Sequence, residues 1–266
     1  MKHQLCIFAG ALLLTQAFLV AAELPSTGFL NRSLDLDGES YAYQVYVPAS
    51  YSPEIKWPVV VDLHGKSSGG RDGLRQTRQG LANGIRNQPD QLPIIGLFPQ
   101  SPNNSEWKGT NAELVIAELE TILREFNVDS DRVYLTGSSM GGNGVYHLAQ
   151  IYPDRFAAFV ISCGSPFAPP WRSAQLGEPE VDRTIQAFTR VAKKIPDVPV
   201  WIFHGTADNT VAVSDAKAMV SALEATGHEP RYTEYPGKDH SDSCSLPYLE
   251  EELWPWLLAI QLSAEQ

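Results

Sequence analysis

The chain has 266 residues, 43% of them hydrophobic and 19% charged, with a formal net charge of -11. That length can bury a sizeable core. An acidic balance argues against nucleic acid or an anionic membrane as partner and says little about a neutral ligand.

Residues 1–22 read as a secretory signal. Met1-Lys2-His3 supplies a positive end, and an apolar run from Leu5 to Val20 follows, broken only by Thr15 and Gln16. Val20-Ala21-Ala22 offers small residues for cleavage before Glu23. The run is short for a membrane span and is interrupted by polar residues. Cleavage would remove Lys2 and take the net charge from -11 to -12. Residues 23–266 are expected to form one domain, secreted or periplasmic, with no membrane attachment after cleavage. Of the three cysteines, Cys6 leaves with the signal; Cys163 and Cys244 remain as an even pair in an oxidising compartment.

Two strands are predicted between Ser33 and Val47 around the turn signal Asp37-Gly38. Val59-Val60-Val61-Asp62-Leu63 is a short apolar run suited to a sheet centre, and it opens into His64-Gly65-Lys66-Ser67-Ser68-Gly69-Gly70. Ile94 to Phe98 is the next strand, and Thr110 or Asn111 can cap the helix that follows. Leu119, Ile122, Leu123 and Phe126 give that helix one apolar face. Val133-Tyr134-Leu135 predicts a strand, and Asn143 to Tyr152 a helix. Phe156 to Ser162 is another strand, followed by a loop with Pro166, Phe167, Pro169, Pro170 and Trp171. Val181, Ile185, Phe188, Ala192 and Ile195 mark a helix face. Val198 to Phe203 is a strand, Ser214 to Thr226 a helix stopped by Gly227, Arg231 to Tyr235 a strand, and Leu246 to Leu262 a last helix. Strands alternating with helices predict an α/β fold: a mostly parallel sheet covered on both faces, with antiparallel strands at the N-terminal edge and no large lid. Ligands in such sheets bind beyond the carboxyl ends of the strands.

Between the central strand and its helix lies Gly137-Ser138-Ser139-Met140-Gly141. Gly-x-Ser-x-Gly at a strand-to-helix junction is the pattern of a nucleophile elbow, where a strained turn lifts the serine above the sheet. The helix behind it aims free N–H groups and a partial positive charge at the site. Ser138 lacks the flanking glycine spacing. A serine hydroxyl needs an imidazole to take its proton and a carboxylate to hold that imidazole in the right tautomer. His240, after the last strand, is the expected base. His64 and His204 each precede a glycine at a strand end and are expected to brace loops. Asp208, after the penultimate strand, is the expected acid, with Asp215 and Asp239 as rivals. The oxyanion would be held by the backbone N–H groups of Met140 and Lys66. Cys163 and Cys244 both fall at the carboxyl edge of the sheet, where a disulfide between them would pin the histidine loop.

Several segments carry a resemblance: Leu63-His64-Gly65, Phe98-Pro99-Gln100 with Trp107, Asp131 to Gly137, Ser139-Met140-Gly141-Gly142, Phe203-His204-Gly205 with Asp208, and Tyr235-Pro236-Gly237 with His240. From about Tyr43 onward the chain resembles α/β-hydrolases of the carboxylesterase and dienelactone-hydrolase-like group. It is similar above all to secreted bacterial esterases often labelled predicted peptidases, themselves similar to family 1 carbohydrate esterases. The resemblance implies Ser139, Asp208 and His240 as the triad, with no metal and no cofactor. The run Ser241-Asp242-Ser243-Cys244 departs from the aromatic residue relatives carry after the histidine. Lys66 and Ser67 depart from the small or acidic residues expected after His-Gly. These departures touch the pocket rim, whose expected aromatic walls are Trp107, Phe167 and Trp171.

The expected activity is therefore hydrolysis of carboxylic esters through an acyl-enzyme, the ester being a small molecule or linked to a polysaccharide. Feruloyl or acetylxylan esters of plant polysaccharide are the narrower alternative. A serine peptidase would need a gating domain or an extended subsite, and the chain has no stretch for a propeller. A binding module on a hydrolase scaffold would have no reason to keep serine, acid and histidine in this order.

Overall fold

The structure, a computed structural model, describes residues 26–88, 92–102, 105–177 and 182–262. The signal-like segment and Val181 lie outside the described residues. In chain order the strands are β1 (Gly28–Leu36), β2 (Glu39–Val47), β3 (Trp57–Leu63), β4 (Ile95–Phe98), β5 (Val128–Ser138), β6 (Ala158–Ser162), β7 (Val200–Gly205) and β8 (Arg231–Tyr235). They form one sheet in the order β1-β2-β4-β3-β5-β6-β7-β8. β1 and β2 make the antiparallel hairpin, turning through Asp37 (φ 53°) and Gly38 (φ 82°), the left-handed pair that a two-residue turn requires. β2 pairs antiparallel with β4, and every later pairing is parallel.

The helices are α1 (Leu81–Asn87), α2 (Thr110–Glu125), α3 (Met140–Ile151), α4 (Pro170–Leu176), α5 (Ile185–Ala192), α6 (Val213–Glu224), α7 (His240–Ser245) and α8 (Leu253–Leu258). Successive strand residues point to opposite faces, so each central strand feeds two cores. Val59, Val61, Leu135 and Ile161 pack with Leu119, Leu148, Phe188 and Met219 from α2, α3, α5 and α6. Val60, Tyr134 and Val160 pack with Leu81, Ile85, Tyr248 and Leu257 on the other side. This double burial is why the strands read as continuous apolar runs.

Four local expectations are corrected. Gly109 (φ 53°), not Thr110 or Asn111, occupies the position before α2, and Asn111 instead donates to the Glu106 carbonyl at 2.7 Å. The stretch after β6 holds two helices where one was expected: Pro170 stands in the first turn of α4, where its missing N–H costs nothing. α1 joins them as an unexpected element. The helix expected from Leu246 to Leu262 is a 3-10 turn at Leu246–Leu249 followed by α8, because Pro247 tightens the turn and Glu250 is extended (ψ 125°); α7 precedes that span and was not expected.

Candidate active site

β5 runs straight into Ser139, whose φ of 56° and ψ of -118° lie where side chains rarely go. The turn is this tight because its glycines let backbones touch. A Cβ on Gly141 would stand 1.7 Å from the Leu63 carbonyl oxygen, and one on Gly137 would stand 2.5 Å from Gly141 C. The Ser139 N–H donates to the Ser162 carbonyl at 2.9 Å, tying the elbow to β6.

His240 opens α7. Asp239 caps that helix by accepting the Asp242 N–H at 2.9 Å, which accounts for an acid beside the histidine. His240 Nε2 lies 2.8 Å from Ser139 Oγ, and His240 Nδ1 lies 2.7 Å from Asp208 Oδ2. With an ionised carboxylate as acceptor, Nδ1 carries the proton and Nε2 presents its lone pair to the serine hydroxyl. Asp208 Oδ1 accepts the N–H groups of Thr210 at 2.8 Å and Val211 at 2.9 Å. Burial would raise the Asp208 carboxyl, but hydrogen bonds from His204, His240 and Val211, with the charge of His240, outweigh it. The group is held well below the usual carboxylate range.

The rivals are engaged elsewhere. Asp215 Oδ2 accepts from Ser165 Oγ at 2.7 Å and from Arg183 Nη1. Ser138 Oγ donates to the Cys244 carbonyl at 3.1 Å. His64 braces the loop after β3: its Nε2 accepts the Ser101 N–H at 3.0 Å and its Nδ1 donates to the Gly65 carbonyl at 2.7 Å. Burial takes it down to about 4, so it stays neutral.

That loop passes close to the nucleophile; a Cβ on Gly65 would stand 3.6 Å from Ser139 Cβ. Lys66 begins a one-turn 3-10 helix there, and Met140 begins α3. Each is a first-turn residue, whose N–H has no partner within its own helix. The Lys66 ammonium donates to Gln175 Oε1 at 3.1 Å and sits 5.0 Å from the centre of the Trp171 ring.

A cavity of about 490 Å³ lies beside Ser139 and His240, and Ser68, Asp62, Gln76 and Gly80 are among the residues that line it. Of the three aromatic residues expected to wall it, Trp171 does, at 44% exposure. Trp107 does not: it is buried against His64, and its indole N–H donates to the His64 carbonyl at 3.1 Å. Phe167 packs edge-on against Phe188. In the cavity lining, burial pushes Asp62 up to about 7, against hydrogen bonds from Tyr248 and Leu81.

Cys163 and Cys244 are joined as a disulfide with Cα atoms 5.6 Å apart. The two sulfurs and a His240 ring nitrogen lie within 4.8 Å of one another. With both sulfurs bonded, this cluster is a covalent brace on the histidine helix and offers no thiolates to a metal.

Two residues of the site escaped the sequence reading. His204 was expected only to brace a loop, yet its Nε2 lies 3.2 Å from Asp208 Oδ2 and 3.0 Å from the Val211 carbonyl. Gln76 sits in a polar stretch with no periodic signal, and nothing in the sequence points to its burial at 2% exposure.

The chain belongs to the Esterase family: the model described as "Putative esterase" matches residues 35–253. Among curated proteins it is similar to Feruloyl esterase B of Talaromyces stipitatus, 28% identical over 130 residues, covering 42% of this chain and 36% of the relative. It is also similar to the bifunctional acetylxylan esterase/xylanase of Neocallimastix patriciarum, 24% identical over 208 residues, covering 75% of this chain and 26% of the relative. The chain thus spans about a third of one relative's length and a quarter of the other's. Among solved structures, a thermostable esterase superposes with a TM-score of 0.72 at 28% identity, over 88% of this chain and 63% of the other.

Proposed function

We propose that this Esterase-family chain is a secreted or periplasmic serine esterase that cleaves carboxylic esters through an acyl-enzyme. The observation that carries the reading is the unbroken hydrogen-bonded series from Ser139 Oγ through His240 to Asp208, set on a strained elbow. Ser139 Oγ attacks the ester carbonyl carbon as His240 Nε2 takes its proton. Asp208 stays ionised, fixes the Nδ1–H tautomer and stabilises the imidazolium. The tetrahedral oxyanion is received by the N–H groups of Met140 and Lys66, each worth about 3 kcal/mol to the transition state. His240 then protonates the departing alkoxide, and water repeats the sequence on the acyl-Ser139 ester.

The leader-like residues 1–22 support export, and residues 23–266 are the catalytic domain. Relatives named for feruloyl and acetylxylan esters favour a polysaccharide-linked substrate as the narrower reading. The test is a panel of p-nitrophenyl esters of rising chain length, with methyl ferulate and acetylated xylan beside them. Release of nitrophenol or acid from at least one member by folded protein is expected. A folded protein that hydrolyses none of them would leave a binding module as the better account.

A further inference from the structure

Ser139 lines two recesses of unequal size. The larger is the cavity of about 490 Å³, which His240 also lines. The smaller holds about 30 Å³ and is lined by Met140, Asn143 and Val211 with Glu106 and Arg172. Lys66, Trp171 and Thr210 line both. A recess needs roughly 10–15 Å³ for each water-sized group, so the smaller one takes about two heavy atoms.

The chemistry decides which arm of an ester goes where. His240 Nε2 takes the Ser139 proton from 2.8 Å and then gives it to the departing alkoxide, so the alcohol oxygen has to lie against His240. His240 lines the larger cavity and not the smaller recess. The alcohol arm therefore extends into the larger cavity. The acyl arm stays bonded to Ser139 and is left with the smaller recess, beside Met140, whose N–H would hold the oxyanion.

Two residues lining that recess brace each other. Arg172 Nε donates to Glu106 Oε1 at 3.0 Å, with the two side chains only 12% and 13% exposed. Both ends are anchored: the Glu106 carbonyl accepts Asn111 Nδ2 at 2.7 Å, and Arg172 Nη1 donates to Gln175 Oε1 at 3.4 Å. Separating a largely buried ion pair is costly, because each charge loses its partner away from water. We propose that the Arg172–Glu106 pair determines acyl specificity, limiting the acyl chain to about two or three carbons. The ligand class is then the short-acyl ester of a larger alcohol. The inference rests on the acyl-enzyme reading of Ser139. A longer acyl chain has to displace the pair or lie outside the recess, and either draws the carbonyl carbon away from Ser139 Oγ.

Hexyl acetate and ethyl hexanoate are isomers with the arms exchanged, so comparing them reads the arms at constant total size. Acid release from each is followed by pH-stat on wild type and on Arg172→Ala. The readout is kcat/KM for hexyl acetate over that for ethyl hexanoate. A wild-type ratio above about tenfold is expected, falling at least about threefold in the variant. A smaller wild-type ratio, or one that Arg172→Ala does not lower by that much, overturns the proposal. If Glu106 without its partner keeps Arg172→Ala from folding, the double variant Glu106→Ala with Arg172→Ala replaces it under the same criterion. If neither folds, the wild-type ratio decides alone. Hydrolysis of p-nitrophenyl acetate by wild type separates the two failures. Its turnover without a preference for hexyl acetate sinks this inference alone, whereas no turnover of any ester sinks the esterase reading.

Discussion

His204 Nε2 points at Asp208 Oδ2 from 3.2 Å, on a side chain with no solvent exposure. The same nitrogen lies 3.0 Å from the Val211 carbonyl. Two acceptors on one nitrogen require that Nε2 carry the proton, which leaves Nδ1 as the buried lone pair without a partner. His204 therefore contacts the same Asp208 oxygen as His240, and it is expected to act as a positioning residue. His204→Leu is expected to lower kcat by roughly tenfold with little change in KM. His204→Gln, which keeps a donor, should recover part of the loss. Equal kcat values for the two variants, or a change confined to KM, would show that His204 only fills space.

Asp208→Asn is expected to slow turnover on the order of a thousandfold, because the amide favours the wrong His240 tautomer. Asp239→Asn should be nearly silent, since asparagine caps a helix as well as aspartate. Asp215→Asn should lower Tm by loosening the Ser165 and Arg183 contacts while leaving kcat within a few fold. A larger kcat loss in either rival than in Asp208→Asn would name a different acid.

The depressed Asp208 carboxyl has a consequence for stability. A group whose folded pKa lies below its unfolded value contributes stability that is fully present above the unfolded value, about 3.9 for Asp, and is lost as pH falls toward the folded value. The Tm difference between wild type and Asp208→Asn should be greatest near neutral pH and should narrow on acidification below about 3.9. A difference that widens in acid would contradict the direction of the shift. The measurement is a thermal-melt series against pH on both proteins.

Much of the frame was legible in the sequence, and the reasons are local. Val59-Val60-Val61 and Val133-Tyr134-Leu135 are β-branched or aromatic runs buried on both faces, so they read as strands without any tertiary knowledge. The glycines at 137 and 141 betrayed the elbow because no other residue fits there. The missed elements lack such a signal. α4 begins with Pro169-Pro170, which reads as a loop until the first turn is seen, and α1 contains Gly84 and two asparagines. Trp107 was misplaced because an aromatic residue near a motif looks the same whether it walls a pocket or packs beneath a loop.

That distinction separates two aromatic variants. Trp107→Phe removes the hydrogen bond to the His64 carbonyl and should cost about 1–2 kcal/mol of stability, with the preference among acyl chain lengths unchanged. Trp171→Ala, at the exposed cavity wall, should change KM and barely move Tm. Chemical denaturation together with the chain-length panel reads both.

The Cys163–Cys244 bond spans 81 residues and enters α7 one turn after His240. Closing a loop of that length stabilises the fold by about 4 kcal/mol. Protein unfolded without reductant should titrate no free thiol from these two cysteines. Reduction should lower both Tm and kcat, because the histidine helix loses its anchor to β6. Two free thiols in unreduced protein would remove the brace from the account.

The central claim is that Ser139 is the nucleophile, and covalent trapping tests it most directly. Purified protein is incubated with a fluorophosphonate ester, and intact and peptide masses are recorded. One phosphonyl group is expected on Ser139, with none in Ser139→Ala of unchanged circular dichroism. No adduct on folded wild-type protein, or an adduct on Ser138, would contradict it.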